Sequence, residues 1–190
     1  MTHKLLFRYV VVISAAYMMR YLAPPVNLHW LHWFIYVPVL WALQESTPKQ
    51  NKRLAFVYGT VALGSIFIWL IDTITIFSNL PLIATLFVWV LFGIAFGLPY
   101  LLLWPMVHPM RRALGPWWIL AFPCLQVVIE FVTMYVFLFP FNLGATQYRQ
   151  PEIWQLVSIT GTSGMTWLIF FCNGILGEAV FRWREGNKTM

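Results

Sequence analysis

Charge is what this chain has least of: 9% of its 190 residues are Asp, Glu, Lys or Arg, while 61% are hydrophobic. Mean hydropathy is +0.74. A water-soluble domain carries about 25% charged residues, so a surface wetted on all sides is excluded. Cysteine is nearly missing as well. Cys124 and Cys172 are the only two, and a single pair offers neither a metal cluster nor a disulfide framework. Both fall in apolar runs, where a thiol behaves as a small buried hydrophobe; a bridge between them would need the fifth and sixth runs to pack at matching depth. Also absent are G-x-S-x-G, H-E-x-x-H and a phosphate-binding glycine loop. Residues 1–95 and 96–190 show no inverted repeat of the transporter kind. No cofactor is expected.

What the chain has in quantity is long apolar runs. A hydrocarbon core about 30 Å thick takes about 20 helical residues to cross, and helices satisfy their own backbone hydrogen bonds in lipid. The pattern predicts an all-α fold, a polytopic helical membrane bundle forming one domain over 1–190. Its six expected spans are roughly 5–22, 27–43, 54–71, 81–107, 117–138 and 165–182. Lys4 and Arg8 precede the first run and Arg20 follows it, with no small-x-small cleavage site, which fits an uncleaved helix better than a signal peptide. The fourth run has 27 residues (81–107) and must tilt, kink at Pro99 or emerge early.

Lys and Arg orient the bundle. With six spans both termini share a side, and that side collects Lys4, Arg8, Lys49, Lys52, Arg53, Arg111, Arg112, Arg182, Arg184 and Lys188. The other side receives Arg20 and Arg149. Ten against two is a positive-inside bias that makes the termini cytoplasmic. The net charge of +6 then reports orientation and anionic lipid headgroups, not nucleic acid. The semi-polar connection 139–164 is expected on the outside.

Few residues point to chemistry. Asp72 reads as an interfacial carboxylate ending a helix. Glu178 and Glu185 sit beside Arg182 and Arg184, as ordinary surface pairs would. His29 and His32 in HWLH could face one way, but no third ligand is near, and Trp30 and Trp33 suit an interfacial aromatic belt. Glu130 differs. It lies about 14 residues into span five, where a charge costs about 3 kcal/mol on the mildest scale. It must be protonated, paired or facing a polar cavity, either as a functional group or as a helix-to-helix tie. Gln126 lies one turn earlier on the same face. Gly93 and Gly97 form a small-xxx-small pair that permits close helix approach.

The order of features around span five resembles the membrane part of bacterial apolipoprotein N-acyltransferase. That family shows a Pro-x-x-Trp-x-x-x-Glu helix, a Phe-Pro-Trp turn, a Gly-x-Ser-Gln step, Gln-Leu, a glycine pair, an aromatic-rich helix and an Asn. Here these fall on Pro123, Glu130, Phe139-Pro140, Gly144, Gln147, Gln155-Leu156, Gly161, Gly164 and Asn173. Gln126 stands where the family has Trp, Phe141 replaces the second aromatic of the turn, and Thr146 replaces Ser. The similarity runs from about 20 to 185, including the basic loop before span three and IWLIDTI, and its specific part is 116–175.

The resemblance implies a bacterial inner (cytoplasmic) membrane location, with the outer loop as a collar where a phospholipid acyl donor meets the catalytic unit. Glu130, Gln126, Asn142, Gln147, Tyr148, Arg149, Trp154 and Asn173 become candidate contacts for lipid or partner. Trp154 and Tyr148 would anchor the collar at headgroup depth, and Arg149 would meet a lipid phosphate or else pair with Glu152. The family's nitrilase-like domain carries a Glu-Lys-Cys triad that moves an acyl group onto diacylglyceryl-lipoproteins. In this sequence all four lysines lie on the expected cytoplasmic side and both cysteines within spans, so the chain is not expected to be an active acyltransferase alone. Four readings stand: a scaffold for a separately encoded nitrilase-like subunit, a catalytically inactive relative binding another lipid, a small transporter using Glu130, or part of a longer enzyme.

Overall fold

The computed structural model describes residues 3–22, 25–136 and 141–188, and among them there is helix but no strand. Nine α-helices follow one another: α1 His3–Leu22, α2 Val37–Gln44, α3 Pro48–Ile66, α4 Leu70–Ser78, α5 Leu82–Leu103, α6 Val107–Leu114, α7 Trp118–Tyr135, α8 Pro151–Trp154 and α9 Val157–Lys188. Apolar side chains face outward over much of the surface: Phe77 is 84% exposed and Ile83 83%. With lipid tails as apolar as leucine, such faces need no cover, and close packing and hydrogen bonds must hold the helices together.

Pairs of touching residues give the directions. Along α7 and α9, Trp118 Nε1 donates to Glu178 and Thr166 Oγ1 donates to Glu130, so the two run antiparallel. Along α5 and α7, Gln126 donates to Tyr100 and Phe122 meets Trp104 edge to face, again antiparallel. Helix α1 runs parallel to α3, since Arg8 reaches Ser46 just before α3, and Ser65 donates to the Ala16 carbonyl farther up. The return between them is made by α2. The basic end of the bundle therefore gathers the start of α1, the α2–α3 turn, α6 and the end of α9. At that end Arg111 donates to Glu178 at 2.7 Å and to Glu185 at 2.9 Å, Arg182 donates to Glu178 at 2.8 Å, and the Arg184 guanidinium lies 5.2 Å from the Trp41 ring centroid. Glu178 is thus bound by α6 and α7 as well as by its own helix, more than a surface pair with Arg182 and Arg184.

Three stretches, His3–Leu22, Leu82–Tyr135 and Val157–Gly186, are long and apolar enough to cross a membrane. Leu82–Tyr135 contains the antiparallel legs α5 and α7, joined by α6 and by the turn at Gly115 (φ 54°). Helices α3 and α4 qualify together, though bent by 59°.

Two cores close the packing. Tyr36, Tyr58, Trp104, Phe122 and Phe170 form an aromatic centre, with Tyr36–Phe170 centroids at 4.3 Å and Tyr58–Trp104 stacked at 4.7 Å. Beside it, α3 and α5 meet along glycine. A Cβ at Gly97 would collide with Thr60 Oγ1 and lie 3.0 Å from the Thr60 nitrogen, and one at Gly59 would lie 2.5 Å from the Tyr100 ring.

Several elements differ from the hydropathy reading. The second run is a 3-10 turn at His29–Trp33 followed by the eight-residue α2, with Asn27 at positive φ and Pro38 at the start of α2. Helix α3 begins at Pro48, before the apolar run, because Thr47 and Gln50 form a capping box. It breaks at Phe67–Trp69 where a straight helix was expected to 71. Asp72 stands in the first turn of α4, so it opens a helix where it was expected to close one. Helix α5 carries Pro99 internally and ends in a 3-10 turn at Trp104–Met106. The connection taken as 139–164 already contains a 3-10 turn at Leu143–Gln147, α8 and the start of α9. Helix α9 is interrupted at Gly161 (φ 68°, ψ 178°), a conformation open to glycine and strained for other residues. Phe139-Pro140 lie outside the described residues. Cys124 is exposed on α7, not buried, and both cysteines are free. His32 is 1% exposed and inside the bundle, not at the interface; of the aromatic pair beside it, Trp30 is exposed and Trp33 turns inward to Gln147.

Candidate functional site

Three segments converge around Glu130. Helix α7 buries Ile129, Glu130 and Thr133 against α9, and the collar folds back so that the 3-10 turn Leu143–Gln147 packs beside the same helix pair. A turn of this kind begins with backbone N–H groups that have no partner within it. Glu130 Oε1 accepts from Leu143 N at 2.8 Å, and Asn142 Oδ1 and Thr166 Oγ1 lie 3.0 and 2.8 Å from Gly144 N. Thr166 Oγ1 also lies 3.0 Å from Glu130 Oε1 and 3.1 Å from Asn142 Oδ1. The carboxyl caps a turn 13 residues ahead in the chain. Gly144 permits this closeness: a Cβ there would collide with the Thr162 carbonyl.

Only half of the carboxyl is used. Glu130 is 4% exposed, and among the described residues its Oε2 has no hydrogen-bond partner. A buried polar atom left unpaired costs about 1–3 kcal/mol, so this oxygen is the unspent hydrogen-bonding capacity of the site. Glu130 lines a cavity of about 270 Å³ together with Asn142, Thr162 and Ser163 on its polar side. Phe131, Met134 and Tyr135 form the apolar side and are themselves 61%, 48% and 60% exposed. The volume is just below the range of about 300–1,000 Å³ typical of small-molecule sites. A polar floor with an apolar, outward-facing rim suits part of an amphiphile.

The other candidates divide. Asn142 joins Glu130 through the Thr166 hydroxyl they share. Gln126 does not, despite sharing a helix face: it accepts from Trp104 Nε1 and donates to Tyr100, turned into the aromatic core. Gln147 and Asn173, both 0% exposed, act on the broken second leg. Gln147 donates to the His29 carbonyl and accepts from Trp33. Asn173 donates to the His32 carbonyl at 2.8 Å and accepts from Tyr36 N at 3.1 Å. These amides supply what a continuous helix would have supplied itself, which non-helical backbone at membrane depth requires. Tyr148 is exposed and bonded by Arg149 Nε at 2.9 Å; Arg149 takes that partner, not Glu152. Trp154 is half-buried at the end of α8. Among the described residues no group of three or more His, Cys, Asp or Glu could hold a metal.

Sequence reasoning missed Thr166, Thr162 and Ser163. Their signal was the hydroxyl run TGTSGMT (160–166) at the start of the last apolar segment, a cluster that faces the carboxyl on the neighbouring leg. The lysines stay apart from this site. Lys49 and Lys52 open α3 and Lys4 opens α1 at the basic end. Glu130 lies twelve residues along α7 from Trp118, about 18 Å at 1.5 Å per residue.

The family model described as the apolipoprotein N-acyltransferase N-terminal domain matches residues 15–175. A curated apolipoprotein N-acyltransferase from Geobacter metallireducens is 29% identical over 174 residues, covering 88% of this chain and 32% of that protein. The chain thus spans about a third of the length of the curated relative it matches.

Proposed function

Because the chain belongs to the apolipoprotein N-acyltransferase family through that family's N-terminal domain, we propose that it is a membrane module of lipoprotein N-acylation. In this reading it binds phospholipid or diacylglyceryl-lipoprotein at the Glu130 cavity and scaffolds a separately encoded nitrilase-type catalytic subunit at the collar. It sits in the inner membrane with the basic end cytoplasmic, as the Lys and Arg asymmetry favours. The observation that carries the proposal is Glu130 Oε2, buried and without a partner among the described residues, on a cavity whose apolar rim is exposed. The separation of Glu130 from Lys4, Lys49 and Lys52 supports a module that holds substrate and leaves acyl transfer to another unit. An ion pathway through the centre is disfavoured, since Tyr36, Tyr58, Trp104 and Phe122 pack it closed.

The lipid part is tested with Glu130→Gln. The glutamine keeps an acceptor for Leu143 N and Thr166, so thermal unfolding in mild detergent should stay within about 1 kcal/mol of the parent. Phospholipid retained through purification, counted by mass spectrometry, should fall about ten-fold, the size of one lost hydrogen bond to a charged group. Equal retention at equal stability would remove the cavity from the proposal. The scaffold part predicts that the tagged chain, extracted in mild detergent, co-purifies with a nitrilase-type protein. Acylation of a lipopeptide amine by the purified chain with no companion would refute it.

A further inference from the structure

The geometry points to a second binding site, at the opposite end of the bundle from Glu130, for a phosphodiester with a hydroxylated headgroup. A cavity of about 410 Å³ lies between the first turn of α3 and the α5–α6 junction, and none of its lining residues is acidic. Lys52 lines it from α3, and His108 and Arg112 line it from α6. Neither cation is engaged in an ion pair among the described residues. The His108 ring is held in place by Gln44 at 3.2 Å.

The decisive feature is Asn51. It is 2% exposed, it lines the cavity, and its Oδ1 has no hydrogen-bond partner. An amide has two donors and an acceptor, so Asn51 can give a hydrogen bond to a phosphate oxygen and take one from a neighbouring hydroxyl. It lies in the first turn of α3, a 19-residue helix, whose positive N-terminal dipole adds to the attraction for an anion. Two cations, a helix start and a buried amide together describe a phosphate carrying a hydroxyl. They do not describe a zwitterionic choline headgroup, whose cation would face Lys52 and Arg112.

The fourth wall names the source. Leu102 and Met106 line the same cavity and are 69% and 47% exposed, so an apolar track leaves it along the outside of α5. A soluble glycerol phosphate would fill the polar half alone. A lipid such as phosphatidylglycerol fills both, its headgroup against Asn51 and its chains along Leu102. The site is independent of the Glu130 cavity and does not need the acylation reading.

The test uses the full purified chain in neutral detergent, titrated by native mass spectrometry with short-chain phosphatidylglycerol, short-chain phosphatidylcholine and glycerol 3-phosphate. Phosphatidylglycerol should bind in preference to phosphatidylcholine. Lys52→Gln with Arg112→Gln should weaken it about thirty-fold, the effect of two interfacial cations. Both residues are exposed, so melting should be unchanged; Lys52→Arg with Arg112→Lys should restore binding and guards against a folding defect. Asn51→Leu should lower phosphatidylglycerol binding in the same assay, and Glu130→Gln should leave the preference for phosphatidylglycerol over phosphatidylcholine in place. Glycerol 3-phosphate binding as tightly as the lipid would keep the phosphate site and assign it a soluble ligand. Equal binding of phosphatidylglycerol and phosphatidylcholine, or undiminished binding by the double Gln variant, would overturn the proposal.

Discussion

Replacing Asn173 by leucine should destabilise the protein by about 4 kcal/mol, the largest loss expected from any single change at the candidate residues. Hydrogen bonds between membrane helices average only about 0.6 kcal/mol, because helices separated in the bilayer find other partners. Asn173 exceeds that average for a specific reason. Its Nδ2 donates to the His32 carbonyl and its Oδ1 accepts from Tyr36 N, and among the described residues neither of those groups has a backbone partner, although the turns around them bond internally. Leucine, with the same number of side-chain heavy atoms, would strand two buried backbone groups, each costing about 1–3 kcal/mol. Unfolding in mixed detergent micelles would measure the loss. Cys172→Leu, one position away and only half-buried, is the comparison and should change stability by less than about 1 kcal/mol. If the two variants unfolded alike, the amide would not be what holds the second leg in place.

The second large effect concerns the α3–α5 seam. Gly97→Leu should cost about 3 kcal/mol, because overpacking a close contact is destabilising and the obstructing atoms include backbone. The Thr60 nitrogen at 3.0 Å and the Phe56 carbonyl at 3.2 Å from the added Cβ cannot rotate away. Gly64→Ala on the facing helix meets nothing nearer than the Trp89 ring at 3.5 Å, so it should be neutral or slightly stabilising, alanine being the better helix former. A double-mutant cycle sharpens the point. Thr60 Oγ1 is a buried, unpartnered hydroxyl, and Thr60→Ala removes the nearest obstacle to a side chain at 97. Gly97→Ala in that background should recover about half of what it costs alone, a positive coupling that distant sites do not show.

These two positions mark what could and could not be read from the chain. The all-helical membrane class and the shared end of the termini follow from apolar runs and Lys and Arg placement, because bilayer thickness and the positive-inside bias act on local composition; of the six runs read as spans, three stretches and one bent pair are long and apolar enough to cross. The glycine pair 93 and 97 was visible as spacing, and its partner surface on α3 was not. Glu130 stood out because a carboxyl in hydrocarbon always needs a reason. Gln126 shared its face and misled: a helical wheel gives direction only to within a neighbouring leg, and this amide turned to Tyr100 and Trp104. The second leg was the hardest. Its hydropathy is that of a span, yet its backbone is broken, and the groups that make the break tolerable lie far along the chain, with Tyr36 N and the Asn173 amide 137 positions apart. No window of local sequence contains that information. Gln147 and Asn173 were named as candidate contacts for lipid or partner; in the structure both complete the backbone of another segment.

The antiparallel seam of α7 and α9 also has a consequence for biogenesis. Glu130 is made 36 residues before the threonine that shares its Oε1. At a ribosomal pace of about 5–20 residues per second, the carboxyl waits about two to seven seconds for that hydroxyl to be synthesised. During that interval the carboxyl can hold the Leu143 N–H, made 13 residues after it, but lacks the Thr166 hydroxyl, and a carboxyl at that depth with part of its partners missing is costly to release into lipid. The seam of α7 and α9 is therefore completed only when the helix that carries Thr166 arrives.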